Sequence, residues 1–91
     1  MLPIIWLDSA RHEVRNIADY ISDRNEIAAL AFEPALRDGV ARLGAFPNIG
    51  SLGRVEGTRE WIFSPNYIVV YCGTDTALNI QTILHTRRRY P

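Results

Sequence analysis

Residues 67 to 72 read Tyr-Ile-Val-Val-Tyr-Cys, with no polar residue among them. An apolar run this short, rich in β-branched and aromatic residues and bounded by turn signals, predicts a central strand covered on both faces. Ser64-Pro65-Asn66 on one side and Gly73 to Thr76 on the other are those turn signals. The rest of the chain therefore has to supply neighbouring strands and a covering layer.

Strands are predicted on either side of it. Arg59 to Phe63 precedes the first turn, and Leu78 to Thr86 follows the second. In the latter, Leu78, Ile80 and Leu84 alternate with Asn79, Gln81, His85 and Arg87. Period two turns Leu84 toward the core and His85 with Arg87 to the opposite face, leaving Ile83 as the exception. A further short strand is predicted over Leu2 to Leu7.

Between these strands lie two helical patterns. After Asp8-Ser9, which offers an N-cap, Ala10, Val14, Ile17, Ala18 and Ile21 recur at helical spacing. Arg15 and Asp19 on the other face are spaced for an i,i+4 ion pair. Ser22 to Asn25 is the break, and a second helix runs from about Glu26 to Leu43 on Ala29, Phe32, Leu36, Val40 and Leu43. Pro34 interrupts it and predicts a kink or split near Glu33. The short connection makes the pair an antiparallel hairpin. Residues 44–57, with Gly44, Pro47, Gly50, Gly53 and Gly57, form a connection long enough to be functional. The predicted class is α+β with the order β-α-α-β-β-β. A helical hairpin packs on one face of a small, mainly antiparallel four-stranded sheet, and residues 1–91 make one domain.

Composition bounds the function. The formal net charge is zero, which argues against a generic nucleic-acid coat. By halves the balance is about −2 over residues 1–46 and +2 over residues 47–91, so a modest positive patch belongs to the second half. All ten basic residues are Arg. Arg is a fixed cation with a planar donor fork, so acid–base chemistry falls to His, Asp, Glu or Tyr. Cys72 is the one cysteine and reads as a buried free thiol in a reducing compartment. The scattered His12, His85 and Cys72 have no metal-ligand spacing, and Gly50-Ser51-Leu52-Gly53 lacks the lysine and spacing of a phosphate loop. No basic leader is visible and no apolar run approaches the ~18–20 residues that span a bilayer, so a cytoplasmic protein is expected, without membrane partner or cofactor.

Chemistry concentrates at the end of the chain, in Leu84-His85-Thr86-Arg87-Arg88-Arg89-Tyr90-Pro91, and in Gly57-Thr58-Arg59-Glu60. Alternation groups Arg59, Trp61 and Phe63 on one side of their strand, and Gln81, His85 and Arg87 on one side of theirs. If both groups share the helix-free face, they form a polyanion-binding surface in which Arg holds phosphate and Trp61 or Tyr90 stacks on a base. Equally open are plain core roles for Trp61 and Phe63, an ion pair of Arg59 with Glu60, a solvated arginine tail, and structural roles for His85 and His12.

These stretches resemble the RelE/ParE superfamily of toxins from bacterial type II toxin–antitoxin modules. The resemblance rests on Ile5-Trp6-Leu7-Asp8-Ser9-Ala10, Ile17-Ala18-Asp19-Tyr20-Ile21, Ala28-Ala29 with Phe32, Gly53-Arg54, Gly57-Thr58-Arg59-Glu60, Pro65 to Tyr71, and Ile83 to Arg88. It covers nearly the whole chain, and the Gly-Thr-Arg-Glu run with the His-Thr-Arg-Arg end looks like the ParE branch. The resemblance implies a toxin that binds DNA gyrase and arrests growth, with a cognate antitoxin as partner. It implies target contacts through Arg59, His85, Arg87, Arg88 and Tyr90. The RelE branch implies a second reading, an endonuclease cutting mRNA on the ribosome. Many such enzymes use lysines that this chain lacks. A substitute set is Glu60 or Glu56 as base, His85 as acid, and Arg59 with Arg87 stabilising the charged intermediate. A third reading is a non-toxic module that acts only in complex with its antitoxin. Ile27, Leu30 and Phe46 either receive the antitoxin or complete the toxin's own core.

Overall fold

The computed structural model describes residues 1–86. The elements are β1 (Ile4–Trp6), α1 (Asp8–Ser22), α2 (Glu26–Ala45), β2 (Ser51–Leu52), β3 (Arg59–Ser64), β4 (Tyr67–Gly73) and β5 (Leu78–His85). They form one five-stranded sheet in the order β1-β5-β4-β3-β2. β1 runs parallel to β5, and every other pairing is antiparallel. The class is α+β as predicted, with one strand more than the four expected. The extra strand is β2, two residues in the middle of the glycine-rich connection.

β4 is the middle strand, as its uninterrupted apolar run requires. Residues Ile68 to Tyr71 are all buried. Val69 and Tyr71 face the helices, and Ile68 and Val70 pack with Leu84 on the other side. The helical stripes meet the first face: Ala10, Val14 and Ile17 from α1, and Phe32, Leu36, Val40 and Leu43 from α2. Ile27, Leu30 and Phe46 stay outside it at 81, 76 and 66% exposure, so they do not complete the core. Cys72 is half-buried, not buried, because it lies near the end of β4 on the face without helices.

α2 is one uninterrupted helix through Pro34, not two. Its buried face of Phe32, Leu36 and Val40 packs on both sides of the proline, and this tertiary contact outweighs the single lost hydrogen bond. The Asn25 side chain caps it by accepting from the Ala28 N–H at 3.0 Å. α1 begins at Asp8, so the residues read as its cap lie inside the helix. Its N-cap is Leu7, which makes no side-chain cap bond. Ser9 instead donates to the carbonyl oxygen of Gln81 at 2.6 Å. The expected Arg15–Asp19 pair is not formed among the described residues; ion pairs on the helices include Arg11–Asp8 and Arg37–Glu33.

Gln81 explains the largest departure from the sequence reading. The β4–β5 register pairs Tyr71 with Ile80 but Val70 with Thr82, so Gln81 is the extra residue of a β-bulge. One inserted residue reverses the phase of everything after it. Ile83 therefore enters the helix-covered core, and Leu84 goes to the opposite face. Ile83 is no exception, and His85 is on the helix side of the sheet, paired with Tyr67.

Candidate functional site

The helix-free surface that Arg59, Trp61, Phe63, Gln81, His85 and Arg87 would form if both groups shared that face is not found among the described residues. Trp61 and Phe63 pack on the helix-covered core. A Cβ on Gly39 of α2 would lie 2.7 Å from the Trp61 ring, so that glycine is where the helix admits the indole. Phe63 meets Phe32 edge-on, with ring centroids 6.1 Å apart. Trp61 is thus half-buried, with its ring edge packed against α2 on the helix-covered side of the sheet.

Arg59 serves the long connection. It donates to the Gly50 carbonyl at 2.8 Å. The fully buried Tyr71 works beside it: its hydroxyl accepts from the Gly50 N–H at 3.0 Å and donates to the Pro47 carbonyl at 2.7 Å. A side chain at Gly50 would lie 2.8 Å from both the Glu60 carbonyl and the Tyr71 hydroxyl. Loop backbone, phenol and guanidinium thus form one clamp that holds residues 47–50 against the sheet.

Glu60 belongs to the other face. It pairs with Val70 across β3 and β4, and its carboxylate accepts from the Arg54 N–H at 3.0 Å with the Arg54 guanidinium at 3.4 Å. The Arg59–Glu60 ion pair that the sequence left open is not made among the described residues; Arg54 is the partner. Glu56 is exposed in the turn closed by the Gly53 N–H to Thr58 carbonyl bond.

His85 stands at the far end of the sheet from Arg59. Their partners on β4 are Tyr67 and Tyr71, four residues apart, which is about 13 Å along the strands. The fold therefore separates Arg59 from His85, and it sets Glu60 and His85 on opposite faces. Arg87, Arg88 and Tyr90 lie outside the described residues.

What surrounds His85 is aromatic. Its ring stands edge-on to Tyr67 at 5.6 Å, and Tyr67 stands edge-on to Phe32 at 5.5 Å. Burial, and then the neighbouring Tyr20, raise the Tyr67 phenol above its ordinary value, so it remains a neutral hydrogen-bonding group at physiological pH. Arg24 lies over the Tyr20 ring at 3.7 Å and donates to the Tyr20 carbonyl at 3.1 Å. The i,i+4 spacing of Tyr20 and Arg24 was legible in the sequence. The approach of Tyr67 to His85 was not, because it depends on the bulged register.

Tyr20, Arg24, Tyr67 and His85 thus gather where the helical hairpin turns and β5 ends. The group offers a cation, two phenols and an imidazole, which suits binding through stacking and hydrogen bonds. Among the described residues no three His, Cys, Asp or Glu side chains form a metal-binding group, and no helix is long and apolar enough to cross a membrane.

The fold has known counterparts. The chain is similar to a chain of the chromosomal ParDE toxin–antitoxin system from P. aeruginosa, with a TM-score of 0.83 and 18% identity over 93% of this chain and 96% of that one. The E. coli DinJ-YafQ toxin-antitoxin complex follows at 0.63 and 16%, over 92% and 91% of the two chains. YafQ from E. coli strain BL21(DE3) matches at 0.56 and 18%, with 94% of each covered. At these identities the likeness is one of fold. No curated protein matches the sequence. The sequence profile of the ParE toxin of the type II toxin-antitoxin system parDE matches residues 4–90. With that match spanning almost its whole length, the chain belongs to the ParE toxin family of type II toxin–antitoxin systems.

Proposed function

We propose that this chain is a growth-arresting toxin that binds DNA gyrase in the cytoplasm and is neutralised by a cognate antitoxin. The observation that carries the choice of target class is the disposition of Glu60 and His85. A general base and general acid must both reach one scissile linkage. Here they project from opposite faces of the sheet, and Glu60 is engaged by Arg54. That geometry disfavours the substitute nuclease set of Glu60, Arg59, His85 and Arg87. The aromatic and cationic surface around His85 favours a protein contact. Arg59 enters this reading through the loop it clamps, while His85 and the Arg87, Arg88 and Tyr90 that follow it are the proposed target contacts.

An antitoxin partner is supported by the toxin–antitoxin systems among the similar structures and by exposed Ile27, Leu30 and Phe46, which offer apolar area to a segment that folds on binding. The test is induction with and without the adjoining gene. Growth arrest with an SOS response and DNA breaks is the expected outcome, and removal of residues 85–91 should abolish arrest while antitoxin binding persists. Discrete codon-aligned cuts in cellular mRNA would instead establish the endonuclease. Absence of arrest on expression alone would establish the non-toxic module.

A further inference from the structure

Residues 1–46 carry a net charge of about −2, yet three of their five arginines converge on one cleft. Arg11 and Arg15 come from α1, Arg37 comes from α2, and Trp6 of the outer strand β1 closes the side. Val14 and Leu36 form an apolar floor, and the cavity is about 80 Å³. The Arg37 guanidinium lies over the Trp6 ring, 5.2 Å from its centroid. Glu33 holds it there by accepting at 3.2 and 2.9 Å. Arg11 is held by Asp8. Arg15 lines the same cleft but makes no ion pair or hydrogen bond with any described residue.

We infer that this cleft is a subsite for a single carboxylate, an aspartate or glutamate side chain of the bound antitoxin. The inference rests on the antitoxin reading above and specifies what that partner brings to this place. The charges argue for a monoanion. Asp8 and Glu33 already offset two of the three guanidiniums, and the surplus is the one positive charge of Arg15. A phosphate with two negative charges would meet Glu33 without compensation, whereas one carboxylate completes the balance. The size and floor argue the same way. A short aliphatic stem fits over Val14 and Leu36 against the indole, while its carboxylate meets an Arg fork at the rim. The position suits a peptide, because β1 is an outer strand of the sheet and its Trp6 lines the cleft.

Binding of the full chain to the purified product of the adjoining gene, measured by calorimetry at low and high salt, tests the subsite. Arg15→Ala should weaken binding about tenfold at low salt and Arg15→Glu about a hundredfold, with smaller differences at high salt. Since Arg15 makes no ion pair or hydrogen bond with any described residue, neither change should move the thermal midpoint. Arg37→Gln is a second probe at the same rim and should also weaken binding. One antitoxin Asp or Glu replaced by Lys should restore affinity to the Arg15→Glu chain, and that rescue identifies the guest. Wild-type affinity in Arg15→Glu would overturn the subsite and leave the antitoxin reading standing. Failure of the wild-type chain to bind at all would overturn both.

Discussion

At the scale of single residues, the loop clamp and the helix–indole contact carry the sharpest expectations. Tyr71→Phe removes the acceptor of the Gly50 N–H and the donor to Pro47 in a buried place. A buried donor left without a partner costs roughly 1–3 kcal/mol, and denaturant unfolding should report a loss of that size. Amide exchange at Gly50 should accelerate with it. Gly39→Ala sets two effects against each other. Helix propensity gains roughly 1 kcal/mol, but a new methyl group 2.7 Å from the Trp61 ring costs about 1–3 kcal/mol of overpacking. The overlap should win and lower the melting temperature. In a Trp61→Phe background the same change should turn stabilising, and the double-mutant cycle measures that coupling. Tyr67 gives a pH signature. Its phenol holds its proton more tightly in the folded chain, so its stabilisation is complete below the unfolded value near 10 and is lost as pH rises through the higher folded value. Thermal stability should therefore fall above about pH 10, less steeply in Tyr67→Phe.

At the scale of elements, the informative places are those where a local rule yields to packing. Pro34 stays inside α2 although it lacks an N–H. It is exposed on the helix, so Pro34→Ala should stabilise the protein by about 2–2.5 kcal/mol, the interior cost of proline less the entropy it removes from the unfolded chain. A midpoint shift in urea without a change in slope would confirm that the gain is local. β5 contains the opposite case. Its apolar residues were legible, and period two correctly assigns Leu78 and Ile80. The bulge at Gln81 then inverts the phase, which moved Ile83 into the core and brought His85 beside Tyr67. No residue in Asn79-Ile80-Gln81-Thr82 announces a bulge by itself. Its carbonyl partner, the Ser9 hydroxyl, lies 72 residues away.

At the scale of the whole molecule, the first and last strands pair in the sheet. β1 pairs with β5 through Ile4–Leu78, Ile5–Asn79 and Trp6–Ile80, and Leu2, Ile4 and Trp6 pack on the core. Deleting residues 1–6 should expose the β5 edge and that core together, giving loss of cooperative melting and self-association on gel filtration. The sequence by itself determined the helical hairpin, the central β4, the α+β class and the family, because these follow from periodicity, turn chemistry and the order of short motifs within local windows. It also placed His85 at the end of the last strand. Only the tertiary structure decided which face each strand residue takes and which charges meet. Register depends on pairing between distant segments, so it set Arg59 to clamping Gly50, set Glu60 on the face away from His85, and brought Arg11, Arg15 and Arg37 from two helices to one cleft beside Trp6.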